Sequence, residues 1–189
     1  MNLFLWGALP YIAFTFLIVG TLVRFFYFER NWTTKSSEFL EKKQLRIANP
    51  LFHFGLLCVI GGHVVGVLVP KAWTAALGIN DHMYHEGALY MGAVAGIIFI
   101  VGFLLLMKRR FTVPAMKVNT SGLDKWLYLF LTLAIFSGMA GTLLNASGFF
   151  DYRVSIGPWF RSLLAFMPDP SLMEGVPFMF KFHMFAWMA

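Results

Sequence analysis

Leu51-Phe-His-Phe-Gly-Leu-Leu-Cys-Val-Ile-Gly-Gly-His-Val-Val-Gly-Val-Leu-Val69, closed by Pro70, contains no Asp, Glu, Lys or Arg. A helix needs about 20 predominantly apolar residues to cross a bilayer, so this run reads as a membrane span. Its two histidines then require explanation, because ionisable groups within a span are costly and default to functional candidates.

Composition extends the reading to the whole chain. Of 189 residues, 59% are hydrophobic and 13% charged. Soluble domains run about 45–50% apolar and about 25% charged, so half the usual surface charge is missing. The same figures exclude intrinsic disorder. A single cysteine, Cys58, excludes a disulfide-stapled scaffold and any Cys-based zinc or iron–sulfur site. About 111 apolar residues at about 20 per span predict four or five spans and no sizeable soluble domain. The fold class expected is an all-α, polytopic membrane helix bundle forming one domain over 1–189.

The spans are expected at 3–23, 51–69, 87–107 and 125–146, with a fifth, incomplete, at 178–189. The first is not a signal peptide: no basic residue precedes it, and Arg24 follows it. No repeat or low-complexity segment interrupts the series. Arg24, Arg30, Lys35, Lys42, Lys43 and Arg46 fall in loop one, and Lys108, Arg109, Arg110, Lys117 and Lys125 in loop three. These are 11 of the 15 positive residues, which predicts cytoplasmic odd loops and an N-terminus outside. The net charge of +6 therefore reports topology and calls for no nucleic acid. The expected location is the cell membrane, multi-pass and in contact with lipid.

Three histidines sit in apolar runs, His53 and His63 in span two and His183 in span five, with no carboxylate in any span interior. A proton relay or ion path brings carboxylates, so that reading loses ground. Neutral imidazole ligates haem iron, and histidines on two facing helices can clamp one haem. His53 and His63 are about 15 Å apart along a helix and about 80° apart around it, which suits two macrocycles at different heights. His183, entering from the outer side after Pro177, falls at about the depth of His63, so those two form the pair for an outer haem. Gly55, Gly61, Gly62 and Gly66 leave room for a flat ring; alternatively, Gly62 and Gly66 form a GxxxG motif for close helix packing.

These residues resemble a known family. The run from Asn49 to Gly66, with its histidines ten apart, is similar to the second helix of the respiratory nitrate reductase gamma subunit, the membrane cytochrome b of that complex. Lys35-Ser-Ser-Glu-Phe-Leu-Glu-Lys-Lys43, Asp81-His-Met-Tyr-His85, Phe150-Asp-Tyr-Arg153, Gly157-Pro-Trp-Phe-Arg161 and Phe180-Lys-Phe-His183 extend the resemblance over essentially the whole chain. It is most like the Gram-positive form.

The resemblance implies five helices and two b haems. His63 and His183 match the outer ligands; His53 matches one inner ligand, whose partner would lie about 18 residues past His183. Phe178 to Ala189 spans about 18 Å against a core of about 30 Å, so the chain is expected to be C-terminally truncated, holding at most the outer haem fully ligated. The implied role is electron transfer. Quinol, expected to be menaquinol, is oxidised near the outer haem and its protons leave outside. Electrons pass inward to the iron–sulfur beta subunit and the molybdopterin alpha subunit, where nitrate becomes nitrite.

Other residues have two readings each. His82, Tyr84 and His85, at the start of span three, are quinol-side candidates or solvated loop residues; as a zinc site, two histidines are weak. Arg109 and Arg110 either pair with inner-haem propionates or act as stop-transfer charges. Trp32, Phe39, Leu40 and Leu45 in loop one either dock the beta subunit or lie on headgroups. Cys58 is expected to be a buried filler, and Trp73, Trp126 and Trp159 interfacial anchors. The competing functions are the cytochrome b of a formate dehydrogenase, hydrogenase or sulfur-cycle reductase, and a haemless transporter or anchor.

Overall fold

A computed structural model describes residues 2–27 and 40–188, and among these residues all regular structure is helical. Trp32, Phe39 and most of the Lys35–Lys43 motif lie outside the described residues. The helices are α1 (Leu9–Tyr27), α2 (Lys43–His63), α3 (Lys71–Ala76), α4 (Asp81–Thr112), α5 (Pro114–Val118), α6 (Gly122–Leu144), α7 (Ile156–Leu164) and α8 (Phe178–Met188). A π turn, Phe4–Ala8, precedes α1, and a second, Val64–Leu68, extends α2. With these turns included, α1, α2, α4 and α6 are each long and apolar enough to cross a membrane.

Local chemistry sets the ends. The Asn80 side chain accepts from the Met83 N–H at 2.9 Å, starting α4 at Asp81, well before the expected span edge at Gly87. Arg109 and Arg110 occupy its last turn, where cations suit the helix dipole. Ser121 and Asp124 form a reciprocal capping box on α6. At the start of α2 the Glu41 carboxylate accepts from the Gln44 N–H at 2.8 Å. That helix starts before the expected span edge at Leu51 and runs through Pro50. Proline forfeits one backbone hydrogen bond, a loss that membrane helices tolerate when neighbours support them.

The support is α4, whose backbone meets that of α2 at two glycines. A Cβ added at Gly55 would lie 2.5 Å from Phe99 N, and one at Gly102 would run into the Phe52 backbone. Phe99, Phe103 and Ile135 form the core where α2, α4 and α6 converge. α8 packs on α6, and α7 packs on the π turn that ends α2. A second core, Trp6, Ile156, Trp159, Leu163, Met173 and Val176, fastens the start of α1 to α7. Trp159 Nε1 donates to Trp6 O at 2.8 Å.

Two expectations are corrected here. Trp159 is 2% exposed and is a core residue, whereas Trp73 and Trp126 are exposed as anchors would be. Cys58 is exposed on the outer surface of α2, because the buried face of that helix is the one carrying Gly55.

At the Pro70 end, Lys71 pairs with Asp81 at 2.7 Å and Asp151 at 3.1 Å, tying α3 to α4 and to the loop before α7. Asp81 and then Asp151 raise the Lys71 pKa above its ordinary 10.5. The contribution of this cluster is therefore complete below pH 10.5 and fades as pH rises through the raised value. All three groups are well exposed, so Lys71→Met is expected to cost about 1 kcal/mol or less. Thermal unfolding should show a constant gap between parent and variant from about pH 7 to about pH 10, closing above that range.

Candidate functional site

The site is built where α2 and α8 face each other. These helices are packed on different neighbours, α2 on α4 and α8 on α6, and not against one another along their lengths. His63 ends α2 and His183 sits in α8, and their ring centres are 5.9 Å apart at an interplanar angle of 32°. Imidazole binds metals at about 2.0–2.1 Å through nitrogen, and the ring centre lies about 1.1 Å behind that atom. Two rings sharing one ion in line therefore have centres about 6.2 Å apart. The observed spacing is compatible with one ion held between the two rings.

Hydrogen bonding gives each ring one orientation. His63 Nδ1 is 2.8 Å from Val59 O, one turn back on its own helix. His183 Nδ1 is 3.0 Å from Ala134 O and 3.1 Å from Ser137 Oγ, both on α6. A carbonyl only accepts, so Nδ1 carries the proton in both rings and each Nε2 keeps its lone pair for an ion. Ser137 donates its own proton to Ala134 O at 3.2 Å, leaving an oxygen lone pair toward His183. Carbonyl partners of this kind orient metal-bound histidines and raise their basicity.

Small residues on α6 make the seat. A Cβ at Gly138 would lie 2.8 Å from His183 Cε1 and 3.2 Å from its Nδ1. Gly141 takes Phe180, one turn earlier on α8. Ala134, Ser137, Gly138 and Gly141 recur at helical spacing, so the face was visible in the sequence although its role was missed.

The structure separates the other candidates. His53 is exposed on α2, its Nδ1 is 2.9 Å from Asn49 O, and its Nε2 is free for a ligand in the same way. No second histidine is recorded beside it among the described residues. Gly62, like Gly61, would meet nothing within 4 Å if given a Cβ, whereas a Cβ on Gly66 would stand 3.1 Å from the Tyr152 ring. Arg110 donates to Asp124 Oδ2 at 3.0 Å and to Asn119 O at 3.4 Å. Its buried Nε has no partner among the described residues. Arg109 is 3% exposed and donates through Nε to Glu41 Oε2 at 2.9 Å, clasping the start of α2 to the end of α4. The Gln44 amide and then Arg109 hold the Glu41 pKa below its ordinary value.

At the other end, His82 and His85 stand on the first turns of α4, within the helix and not in a loop. His82 is exposed. His85 Nε2 is 3.1 Å from Ala146 O beyond the end of α6, and its ring covers Gly148. Tyr84 lies under Arg153, whose guanidinium carbon is 3.6 Å from the ring centre. Its hydroxyl reaches the Tyr152 hydroxyl beside Gly66. Burial and then Tyr84 push the Tyr152 phenol well above its ordinary pKa, so it stays neutral. Arg153 is itself buried and donates to Thr74 Oγ1. Neither Arg153 nor Tyr152 was singled out from the sequence as part of this cluster.

Among the described residues, an all-helical bundle with four helices long and apolar enough to cross a membrane, and a histidine on one of them facing a histidine on α8, defines a class, the multi-pass helical membrane proteins. Within that class the chain belongs to the nitrate reductase gamma subunit family, whose model matches residues 2–189. It is 48% identical over 180 residues to the nitrate reductase gamma chain of Bacillus subtilis, covering 95% of this chain and 81% of that one. It is 37% identical over 187 residues to the nitrate reductase-like protein NarX of Mycobacterium tuberculosis, covering 97% of this chain and 29% of that protein. To the respiratory nitrate reductase 1 gamma chain of Escherichia coli it is 27% identical over 186 residues, covering 97% and 82%.

Proposed function

We propose that this chain is the membrane electron-transfer subunit of a nitrate reductase, oxidising quinol at the Pro70 side of the bundle and passing electrons toward the Arg109 side. The observation that carries the reading is the His63–His183 pair, spaced for one ion and with both Nδ1 atoms tied to carbonyls. Bound between them, haem b supplies a one-electron iron couple. The chain's own part is to hold and orient. His63 and His183 would hold the iron, Ala134 and Ser137 fix the His183 ring, and Gly138 gives it room. His53, its Nδ1 held by Asn49 O, would supply one ligand to a second haem. Arg109 is engaged by Glu41 and Arg110 by Asp124, so either would meet a propionate only by sharing its guanidinium with that carboxylate, and Arg110, the more exposed of the two, is the better placed.

Quinol meets the chain where α4 begins. His82 is the exposed candidate there, with an imidazole able to hydrogen-bond a quinol hydroxyl. His85 and Tyr84 are already engaged, with Ala146 and Arg153, and shape the site. The positive-inside bias of loops one and three supports this side as the outer one, where the protons would leave. Leu40, Leu45 and the Arg109–Glu41 clasp lie at the opposite end, where the iron–sulfur beta subunit docks and relays electrons to the molybdopterin alpha subunit. Family membership favours this assembly over a formate dehydrogenase, hydrogenase or sulfur-cycle reductase.

Reduced-minus-oxidised spectra of native membranes test the reading. The parent should show b-type bands, and His63→Ala and His183→Ala should each abolish the same component. A parent without such bands, or either variant with the full signal, sinks it.

A further inference from the structure

Both π turns among the described residues are fastened by α7. A π turn closes i→i+5 rings, and a helix end leaves carbonyls without a regular partner. In the first turn, Trp6 O accepts from Trp159 Nε1 at 2.8 Å. In the second, Val67 O accepts from Arg161 Nη1 at 2.6 Å. The guanidinium reaches that carbonyl past Gly157, where a Cβ would stand 3.1 Å from Nη1 and 3.4 Å from Val67 O. A charge-assisted bond to the end of a helix is among the stronger ones available, and a cation there suits the dipole.

The second turn begins at His63, which is its N-cap. The histidine is thus the junction between two rigid pieces. On one side is the α-helical body of α2, locked to α4 at Gly55 and Gly102 and holding His63 Nδ1 through Val59 O. On the other is the π turn, whose far end is held by Arg161 from α7, itself anchored in the core by Trp159. We infer that Arg161 is a positioning residue for His63, holding the π turn open so that the imidazole meets its ion at a set angle to His183. The inference rests on the ligand assignment proposed above. Without Arg161, the Val67 carbonyl loses its partner and the turn relaxes toward i→i+4 geometry. The junction then rotates, and the 32° between the ring planes changes with it.

The test is the ferric low-spin electron paramagnetic resonance signal of native membranes, whose g anisotropy follows the angle between two axial imidazole planes. Haem content and a redox titration are read on the same samples. Arg161→Gln is expected to displace the largest g value of the His63–His183 component and leave any other haem signal in place. It should also alter the oxidised-to-reduced ratio at fixed potential about threefold to tenfold, below the roughly 10–100-fold effects of groups bonded directly to a metal ligand. Arg161→Lys, which can still donate to Val67 O, should restore part of the shift. Gly157→Ala, which crowds the same contact, should move the signal in the Gln direction by less. If Arg161→Gln fails to accumulate, the lysine and alanine variants decide the matter in the same way. Unchanged g values and ratios, in a background where His63→Ala still removes the component, overturn this inference alone. Loss of that dependence on His63 overturns it together with the ligand assignment.

Discussion

Gly138→Leu is expected to remove the haem component that depends on His63 and His183 while leaving the four long helices in place. The His183 ring lies directly on Gly138, and even a methyl group there would stand 2.8 Å from Cε1. The ring has no slack with which to retreat. Its Nδ1 is held by Ala134 O and Ser137 Oγ on the same helix, and under the proposed assignment its Nε2 must reach an ion shared with His63. Overpacking costs about 1–3 kcal/mol, so Gly138→Ala should weaken haem retention by about 5- to 150-fold. Leucine occupies the ring's own place and should abolish binding at this pair. The measurement is haem stoichiometry per purified chain, with the reduced-minus-oxidised spectrum beside it. Gly87→Ala on α4, where a Cβ meets nothing within 4 Å, is the control and should keep the parental haem content. Full stoichiometry in the leucine variant would rule out His183 as a ligand in the orientation described.

What could be read from the chain beforehand was set by solvent. Apolar length marks a span irrespective of its neighbours, so the four long helices were legible from residue counts alone. So was the prominence of His53, His63 and His183, since a polar group in an apolar run stands out without any structure. Features made by packing were not legible in this way. Trp159 has the composition of an interfacial anchor, but α7 folds back and buries it against Trp6. Pro50 carries a boundary signal that the contact of α2 with α4 overrides. Cys58 was placed inside because it is apolar and central in its span. Which face of α2 is covered depends on Gly55, a distinction invisible while every position of a membrane helix is apolar.

The ligand environment divides the same way. His63 and Val59 are four apart on one helix, so their bond could have been anticipated from spacing. The bond of His183 to Ala134 crosses 49 positions and needed the α6–α8 packing to be known. Arg109 and Arg110 look equivalent in sequence, yet one is spent on Glu41 and the other on Asp124, because adjacent helical residues point about 100° apart.

The largest effect on the fold is expected at Gly55 and Gly102. Both would place a Cβ against backbone of the opposing helix, Phe99 for the first and Phe52 for the second. Backbone in a continuous helix cannot turn aside as a side chain can, so α2 and α4 must separate. Gly55→Ala and Gly102→Ala should each cost about 3 kcal/mol or more, at or beyond the upper end of ordinary overpacking. Both meet the same helix pair, so the double variant should cost little more than either single one, since separating the helices relieves both collisions. Gly61→Ala and Gly62→Ala meet nothing within 4 Å and should be neutral or gain up to about 1 kcal/mol from helix propensity. Unfolding of the purified protein in detergent measures all five variants. Additive losses at Gly55 and Gly102 would mean that the two collisions are independent and that the helices do not part as a unit. Parental stability in either single variant would contradict the close backbone approach itself. The contrast also separates two uses of glycine in one helix. Gly55 is small because another backbone is there, whereas Gly62, one residue before His63, is free of that demand and available to the site.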